Sequence, residues 1–548
     1  MAEPAMDRLL DVRVTMRDGV KLSTNVFHPA GTGRWPALLI RTPYDKGDDL
    51  LPTYHLFIQH GYAVVVQDVR GRYDSEGVFQ PLEQEGSDGE ETLYWVAHQP
   101  WCDGKVGMLG GSYGGIVQWQ AALRGSPYLK AIFPLVSGYD DYLDRFYSRG
   151  GAMKWGHRLM WIAENLRAPG FQTPEFNRFI YYLPPRTADR AVTGRTVDWY
   201  QASLKHPAYD EFWRKLSTRD KLDRIKVPVF AMGGWFDNYG QSDLEAFAEL
   251  RRLGRSAYVV IGPWAHSFSE KLAVDFGRES QLPVRRMQLE WFDHWLKGKD
   301  TIASWSPARI FTMGENKWHE LLAWPPPSET ILTLFLGGKK ANSVFGGGTL
   351  DTHQERRGSK DDYVYDPRKP VQTRGGPVCC NVKALPPGPM DQRPVEQRSD
   401  VLVYTTGALT EEVEVTGVIR ALMYASTSAP DTDFTAKLVD VAPDGSTMSL
   451  TDGILRLRFR RGLSRPQLAQ PGKVYPLAID AGVTSMVFRQ GHRIRLEVSS
   501  SNFPRFDRNP NTGRPIVDET ELRIARQTVY RGGKYPSMLI LPVVRRSR

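Results

Sequence analysis

The stretch Val106-Gly-Met-Leu-Gly-Gly-Ser-Tyr-Gly-Gly115 decides the fold of this chain. The apolar run from Lys105 to Leu109 predicts a strand, and the residues from Ile116 to Arg124 predict a helix. A G-x-S-x-G sequence between a strand and a helix is typical of a nucleophile elbow, in which a serine sits on a strained turn and its hydroxyl projects beyond the sheet. Glycines permit such a turn because they tolerate backbone torsions that other residues avoid. The motif is short, so its meaning depends on partners elsewhere in the chain.

The composition indicates an ordinary globular protein of several domains. A length of 548 residues predicts two to four domains. A hydrophobic content of 41% and a charged content of 24% are typical of soluble proteins. The net charge of +9 is spread along the chain without a long block of lysine or arginine. We therefore expect no nucleic-acid partner.

The cysteines and the N-terminus narrow the class further. The three cysteines, Cys102, Cys379 and Cys380, predict no disulfide framework, because neighbouring cysteines rarely pair, and they lack the C-x-x-C spacing of a metal site. The N-terminal residues contain no basic segment followed by an apolar core, and no apolar run approaches the roughly 18 residues of a membrane span. The expectation is a cytoplasmic protein without membrane contact, with secretion left open if a leader has been removed.

Strands and helices alternate around the elbow. The predicted strands are short apolar runs, namely Pro36 to Ile40, Tyr62 to Gln67, Lys105 to Leu109, Lys130 to Val136, Val227 to Met232 and Ala257 to Ile261. Such alternation predicts an α/β domain with a mostly parallel sheet, covering residues 1–139 and 226–305.

Two other regions depart from this alternation. Residues 140–225 are rich in aromatic residues and arginine with helical spacing, which favours a helical cap inserted over the site, although additional core is the alternative. From residue 306 to 548, short alternating runs such as Ala308 to Thr312 and Phe434 to Val441 predict an all-β domain of jelly-roll type. Residues 344–400 are expected to form long loops in that domain.

The elbow serine needs a base, which in turn needs an acid to orient it. The strand ending at Met232 is followed by Gly233-Gly-Trp-Phe-Asp237, and the strand ending at Ile261 is followed by Gly262-Pro-Trp-Ala-His266. Of the five histidines after Asp237, only His266 follows a predicted sheet strand at this distance. The order Ser112, Asp237, His266 therefore predicts a catalytic triad.

The acid and the oxyanion donors are less strongly determined. Asp220, Asp223 and Asp243 are alternative acids, although none directly follows the strand as Asp237 does. One oxyanion donor is expected to be the backbone N–H of Tyr113. The second is expected from the loop Arg41 to Gly47, where the Tyr44 hydroxyl is the candidate and a packing tyrosine is an equal alternative.

The chain resembles the CocE/NonD hydrolases of the X-Pro dipeptidyl-peptidase (S15-like) group. The matching motifs run in order along nearly the whole chain: Arg41-Thr-Pro-Tyr-Asp-Lys46, Asp68-Val-Arg-Gly-Arg72, Gly110-Gly-Ser-Tyr-Gly-Gly115, Gly234-Trp-Phe-Asp237, Gly262-Pro-Trp-Ala-His266, Trp291-Phe-Asp-His-Trp-Leu-Lys-Gly298, Met313-Gly-Glu-Asn-Lys-Trp318 and Ser501-Asn-Phe-Pro-Arg-Phe506. The resemblance implies an α/β-hydrolase domain with a helical cap and a C-terminal jelly roll. It also implies the triad Ser112, Asp237 and His266, with Tyr44 as an oxyanion donor.

Activities in this group include cocaine esterase, glutaryl-cephalosporin acylase, α-amino acid ester hydrolase and X-Pro dipeptidyl peptidase. The α-amino acid ester hydrolases carry two acids just after the triad aspartate, whereas here Asn238-Tyr239-Gly240 follows Asp237, and Asp141 is the only match to a third carboxylate. This departure argues against an α-amino substrate. With Tyr239, Trp155 and Trp161 as candidate contacts, an uncharged or aromatic acyl group is favoured.

The sequence thus predicts a serine esterase or amidase that acts on a small-molecule ester or amide and needs no cofactor or metal. The alternatives are an X-Pro dipeptidyl peptidase on the same triad and, less favoured, a non-catalytic binding protein. Self-association into a homo-oligomer is left open.

Overall fold

The structure, a computed structural model, describes residues 4–326, 329–379 and 382–544. It contains a ten-stranded sheet flanked by helices, a helical segment inserted into that part of the chain, and a C-terminal β domain. This arrangement is an α/β-hydrolase fold with a helical cap and a jelly-roll domain, which confirms the predicted fold class.

The first sheet comes from the N-terminal 321 residues. Its strands are β1 (Met6–Thr15), β2 (Lys21–Pro29), β3 (Trp35–Thr42), β4 (Ala63–Asp68), β5 (Cys102–Gly111), β6 (Leu129–Leu135), β7 (Val229–Gly234), β8 (Ala257–Gly262), β9 (Ala308–Thr312) and β10 (Lys317–Leu321). Their order across the sheet is β1-β2-β4-β3-β5-β6-β7-β8-β9-β10. The pairs from β4 to β9 are parallel, and the pairs at both edges are antiparallel.

The helices pack on both faces of this sheet and form the inserted segment. They are α1 (His55–Gln59), α2 (Glu85–Ala97), α3 (Tyr113–Ala122), α4 (Trp155–Asn165), α5 (Phe176–Phe179), α6 (Ala188–Thr193), α7 (Asp198–Lys205), α8 (Glu211–Leu216), α9 (Gly240–Arg252) and α10 (Val284–Lys297). A further short helix, α11 (Arg393–Glu396), lies in the C-terminal β domain. A π-helical segment, Asp141–Phe146, precedes α4.

Alternate residues of each central strand enter different cores, because strand side chains point to opposite faces. In β3, Leu39 joins the core under α2, α3 and α9, whereas Leu38 joins the core under α1 and α10. Trp291 and Phe292 of α10 are fully buried against the second face. Burial on both faces explains why the central strands are continuous apolar runs.

Helices α4–α8 lie between β6 and β7, where the sequence predicted a helical cap. Their buried side chains, including those of Trp213 and Tyr200, belong to the same continuous hydrophobic cluster as the core on one face of the sheet. The inserted segment is therefore helical, as predicted, and its buried side chains also extend the core, as the alternative had it.

The C-terminal domain is almost entirely antiparallel. Its strands are β11 (Glu329–Gly338), β12 (Gly348–Asp351), β13 (Ser359–Tyr365), β14 (Leu402–Thr405), β15 (Val413–Thr427), β16 (Asp433–Val441), β17 (Thr447–Arg456), β18 (Tyr475–Phe488), β19 (Arg493–Ser499), β20 (Ala525–Arg531) and β21 (Met538–Val544). One pair, β12 with β14, is parallel.

Two expectations for this part of the chain were wrong. The run Ala308–Thr312 was assigned to the β domain from residue 306, but as β9 it pairs in parallel with β8, and β10 follows it as the sheet edge. An isolated short apolar run carries no information about which sheet it joins. The expected long loops of residues 344–400 also contain the short strands β12 and β13.

The cysteines depart from expectation as well. Cys379 is disulfide-bonded, and Cys380 lies outside the described residues. Cys102 is a free, buried thiol. None of the helices in the described residues has both the length and the apolar character needed to cross a membrane.

A buried charge cluster joins the cap to the β domain. Arg456 at the end of β17 donates to Asp433 at 2.8 Å and to Asp507 at 2.8 Å. Asp507 also accepts the backbone N–H of Met153, just before α4, at 2.7 Å. Burial raises the pKa of Asp433 to about 6 despite the neighbouring guanidinium.

Replacing Arg456 with methionine should destabilise the protein strongly, because two buried carboxylates would lose their shared counter-charge. Breaking a buried pair in this way costs roughly 3–5 kcal/mol. Denaturant unfolding, compared with the exposed control Arg461→Met, measures the effect. A loss no larger than that of the control would show that the cluster does not hold the two parts together.

Candidate active site

Ser112 lies at the sharp turn between β5 and α3. Its backbone has φ 56° and ψ −122°, a region that non-glycine residues rarely adopt. A Cβ at Gly110 would lie 3.0 Å from the carbonyl oxygen of Gly114, and one at Gly115 would lie 2.4 Å from the Cβ of Ser137. Close packing therefore leaves little room for a side chain at Gly110, where backbone approaches, and at Gly115, where the Ser137 side chain approaches, in agreement with the tight turn predicted for an elbow.

Asp237 and His266 follow β7 and β8 at the same edge of the sheet. The Nδ1 of His266 lies 2.9 Å from Oδ1 of Asp237, which also accepts the backbone N–H of Asn238 at 2.8 Å. Asp237 is buried, whereas His266 is partly exposed. An acceptor at Nδ1 holds the proton on that nitrogen and leaves Nε2 available as a base.

Tyr44 and Tyr113, the predicted oxyanion donors, both line the pocket that contains Ser112. Tyr113 is the first residue of α3, so its N–H lies among those that the helix itself leaves unused. The Nε1 of Trp161 donates to the Tyr44 hydroxyl at 3.2 Å. Because this bond uses an acceptor lone pair, the Tyr44 proton remains available for a substrate oxygen.

A buried layer beneath the site was not foreseen from the sequence. The Tyr113 hydroxyl donates to Glu85 at 2.8 Å, and Arg41 pairs with the same carboxylate at 2.9 Å. Burial raises the pKa of Glu85. The layer fixes the Tyr113 side chain and hence the start of α3.

Ser112 opens into a pocket with about 440 Å³ of empty space, a volume that includes solvent space at its open mouth. The pocket is lined mainly by aromatic and cationic side chains: Tyr44, Leu82, Ser112, Tyr113, Ile116, Arg145, His157, Arg158, Trp161, Trp199 and Tyr239. Tyr239 and Trp161, both named from the sequence, are among them. Trp155 is not, since it is buried inside the cap and donates to the carbonyl of Ile180 at 2.7 Å.

The sequence reasoning missed the cap residues Arg145, His157, Arg158 and Trp199. Arg145 pairs with Asp141 at 2.6 Å, and burial raises the pKa of Asp141 to about 7. Burial lowers the pKa of His157 well below its usual range, so this ring is neutral. The arginine-rich composition of residues 140–225 was the available signal, but it does not reveal which side chains point inward.

A polar chamber lies behind Asp237, lined by Asp144, Lys154 and Arg505 among others. Burial, together with the nearby Asp237 and Asp144, raises the pKa of Asp243 well above its ordinary value. Asp243 therefore stays protonated and does not repel the Asp237 carboxylate. Lys154 donates to the carbonyl of Asp144 at 2.9 Å, and burial lowers its pKa to about 7.

One group of metal-ligand types lies close together within the described ranges. Oxygen, nitrogen and sulfur atoms of Asp237, His266 and Cys379 are all within 4.8 Å of one another. Asp237 and His266 are hydrogen-bonded to each other, and the Cys379 sulfur is engaged in a disulfide. These donors suit a proton-transfer pair better than a metal centre.

Comparison with known proteins identifies the family of this chain. Residues 18–268 match the X-Pro dipeptidyl-peptidase (S15 family) model, and residues 302–540 match the model of the X-Pro dipeptidyl-peptidase C-terminal non-catalytic domain. The cocaine esterase of Rhodococcus sp. (strain MB1 Bresler) is 39% identical over 98% of both chains. The chain belongs to the CocE/NonD hydrolase family.

Solved structures resemble this CocE/NonD hydrolase over its whole length. An aminopeptidase from the marine sediment archaeon Thaumarchaeota archaeon has a TM-score of 0.86 at 27% identity, covering 99% of this chain and 97% of its own. An α-amino acid ester hydrolase has a TM-score of 0.85 at 27% identity, with the same coverage of each chain. The protein is thus a serine hydrolase, in agreement with the predicted enzyme class.

In this CocE/NonD hydrolase, Tyr44→Phe should lower kcat with little change in KM if the hydroxyl stabilises the oxyanion. Loss of one such donor costs roughly 2.7–4 kcal/mol of transition-state stabilisation. Steady-state kinetics on an aryl ester measure the effect, with the exposed Tyr94→Phe as the matched control. An unchanged kcat would show that Tyr44 lines the pocket without stabilising the oxyanion.

Lys154→Met should stabilise the protein most at and below pH 7, and progressively less as the pH rises towards 10.5. The unfolded lysine titrates near 10.5 and the folded one near 7, so between these values the unfolded state binds more protons and wild-type stability rises with pH. Methionine removes this dependence. Each pKa unit is worth about 1.4 kcal/mol, so the advantage of the variant should shrink by a few kcal/mol from pH 7 to 10.5.

Denaturant titrations at both pH values, beside the exposed control Lys226→Met, test the Lys154 prediction. Because other groups titrate equally in wild type and variant, only the difference between them matters. A difference that is constant with pH would contradict a neutral buried lysine.

Proposed function

We propose that this protein hydrolyses esters of acyl groups that lack a free amine, through an acyl-serine intermediate on Ser112. His266 takes the Ser112 proton as the hydroxyl attacks the carbonyl, and it then gives that proton to the leaving-group oxygen. Asp237 holds the imidazole tautomer and stabilises the imidazolium. Water repeats the sequence in reverse and releases the acid.

The developing oxyanion is stabilised by two donors of different kinds. The N–H of Tyr113 stands at the positive end of the α3 dipole, and the Tyr44 hydroxyl comes from the loop after β3 into the same pocket. Trp161 supports this role by occupying an acceptor site of Tyr44.

The observation that carries the proposal is the charge of the Ser112 pocket. Within the described residues its lining includes two arginines and no carboxylate. A substrate ammonium would enter a site without a counter-ion and beside like charges, which is unfavourable by several kcal/mol. Enzymes that recognise a free α-amine need the opposite arrangement.

Asp141, the one carboxylate near the site that the sequence offered as an anchor for an amine, is engaged elsewhere. Asp141 pairs with Arg145 and accepts from Gln120 at 3.0 Å. Asn238, where an acid would be needed, donates to the carbonyl of Asp144 at 2.6 Å. The full-length similarity to a protein named cocaine esterase also supports the hydrolysis of esters.

An X-Pro dipeptidyl peptidase on the same triad is the second candidate. The match to the S15 family model and the fold of the archaeal aminopeptidase favour it. It would require an anchor for the substrate amine, and the pocket lining supplies none among the described residues.

A substrate panel distinguishes the two candidates. The enzyme should turn over 4-nitrophenyl benzoate, while Gly-Pro-4-nitroanilide and phenylglycine methyl ester should react with kcat/KM lower by on the order of a hundredfold or more. A preference for the anilide would favour the peptidase.

The nucleophile is tested by substitution. Ser112→Ala should abolish turnover and labelling by a serine-directed phosphonate, whereas the exposed Ser269→Ala should retain both. An active Ser112→Ala variant would contradict the assignment of Ser112 as the nucleophile.

A further inference from the structure

Trp199, in the first turn of α7, lies between two cavities of this protein. It is in the wall of the Ser112 pocket, together with Leu82 and Trp161. It is also in the wall of a second cavity, which has about 1000 Å³ of empty space when the solvent space at its mouth is included. Among the described residues, Trp199 alone lines both cavities.

We call the second cavity the outer cavity. It lies between the loop 71–83, which follows β4, and residues 195–202 at the start of α7. Pro81 and Glu83 line the outer cavity, whereas Leu82 between them lines the Ser112 pocket. The two spaces are therefore adjacent, and the partition between them is built from the Trp199 side chain and the chain at Leu82.

The indole of Trp199 is held by ring packing. Its ring centroid lies 4.7 Å from that of Phe146 and 5.4 Å from that of Trp161. The other three tryptophans of the cap donate their N–H groups: Trp155 to the Ile180 carbonyl, Trp161 to the Tyr44 hydroxyl and Trp213 to the His206 carbonyl. The N–H of Trp199 has no such partner in the part of the chain that the structure describes. Removing this ring therefore breaks no hydrogen bond there, and its effect on the two cavities is steric.

The position of the Ser112 pocket relative to the triad indicates which part of a substrate it holds. His266 must reach the leaving-group oxygen, so the leaving group lies on the His266 side of Ser112. The pocket has Ser112, Tyr44 and Tyr113 in its wall, whereas His266 is not among the described residues that line it. The pocket is therefore the acyl side of the site, and Trp199 stands at its boundary.

We propose that Trp199 determines the length of acyl group that this protein accepts, because its ring closes the acyl pocket against the outer cavity. This inference rests on the proposed function. Short alkanoyl groups fit between Ser112 and the indole, whereas longer chains collide with it. Without the ring, a longer chain would continue past position 199 into the outer cavity, whose wall includes the apolar residues Val78, Phe79 and Pro81.

A series of linear esters measures the limit in the wild type. The substrates are 4-nitrophenyl acetate, butyrate, hexanoate, octanoate and decanoate. Each methylene that becomes buried should raise kcat/KM about fourfold until the chain reaches the indole. Beyond that length the pocket is overfilled, and kcat/KM should fall by roughly tenfold. A wild-type kcat/KM that keeps rising as far as decanoate would overturn the proposal.

Variants at position 199 connect the limit to this residue. Trp199→Ala should raise the decanoate-to-butyrate ratio of kcat/KM roughly tenfold or more, and Trp199→Phe should raise it less, because a smaller ring remains. Tyr182, an exposed aromatic residue of the cap, provides the control Tyr182→Ala, in which the ratio should stay at the wild-type value. The same ratio in Trp199→Ala as in the wild type would contradict the role of Trp199.

Refilling the outer cavity shows where the additional chain goes. Ala202 lies one turn after Trp199 on α7 and lines the outer cavity but not the Ser112 pocket. Adding Ala202→Phe to Trp199→Ala should therefore lower the decanoate-to-butyrate ratio again by several-fold. A ratio that stays high in the double variant would overturn the proposed route into the outer cavity.

The alcohol part of the ester provides an independent check. The kcat/KM values for methyl, butyl and octyl butyrate should keep the same ratios in the wild type and in Trp199→Ala. A shift in this series without one in the acyl series would mean that the pocket holds the leaving group, which would overturn the proposal.

Two further measurements keep the test decisive. If Trp199→Ala does not fold, Trp199→Phe and the wild-type length profile carry the test. Phosphonate labelling of Ser112 separates the role of Trp199 from the proposed function. Labelling and turnover without a length limit would remove only the role of Trp199, whereas no labelling and no turnover of any ester would remove the proposed function.

Discussion

The parallel alignment of β3, β5, β7 and β8 is the constraint on which the site depends. Because parallel strands place their carboxyl ends at one edge of a sheet, the loops that follow them lie close together at that edge. Tyr44, Ser112, Asp237 and His266 each follow one of these strands. The apolar runs that bury both faces of the sheet therefore position polar groups that are distant in sequence.

Burial gives the groups around this edge their chemical character. Asp243 remains protonated beside Asp237, and burial lowers the pKa of Lys154 in the same chamber to about 7. Because Asp243 is protonated, the Asp237 carboxylate supplies the negative charge beside the His266 imidazolium. Packing of the cap and the β domain against the hydrolase sheet thus controls the electrostatics of the site as well as its shape.

The sequence predicted what depends on local pattern and chain order. The central strands, the elbow and the strand-end residues Asp237 and His266 follow from short motifs, and the cap follows from the break in alternation. Residues whose surroundings are set by tertiary packing could not be predicted in this way. Helical spacing predicted both Trp155 and Trp161 as substrate contacts, although only Trp161 lines the pocket. The assignment of β9 to the C-terminal domain failed because the residues of a strand do not specify which strand it pairs with. Arg158 was missed because its position in the sequence does not distinguish it from the solvated arginines of the same segment.

This division has a physical basis that bears on specificity. Acyl transfer requires a fixed geometry, so its residues stand on strand ends, where small shifts are resisted by a close-packed sheet. Selection among acyl groups requires only that the inserted cap present a suitable wall, and buried cap residues such as Trp213 and Tyr200 hold that wall against the same continuous core as the sheet.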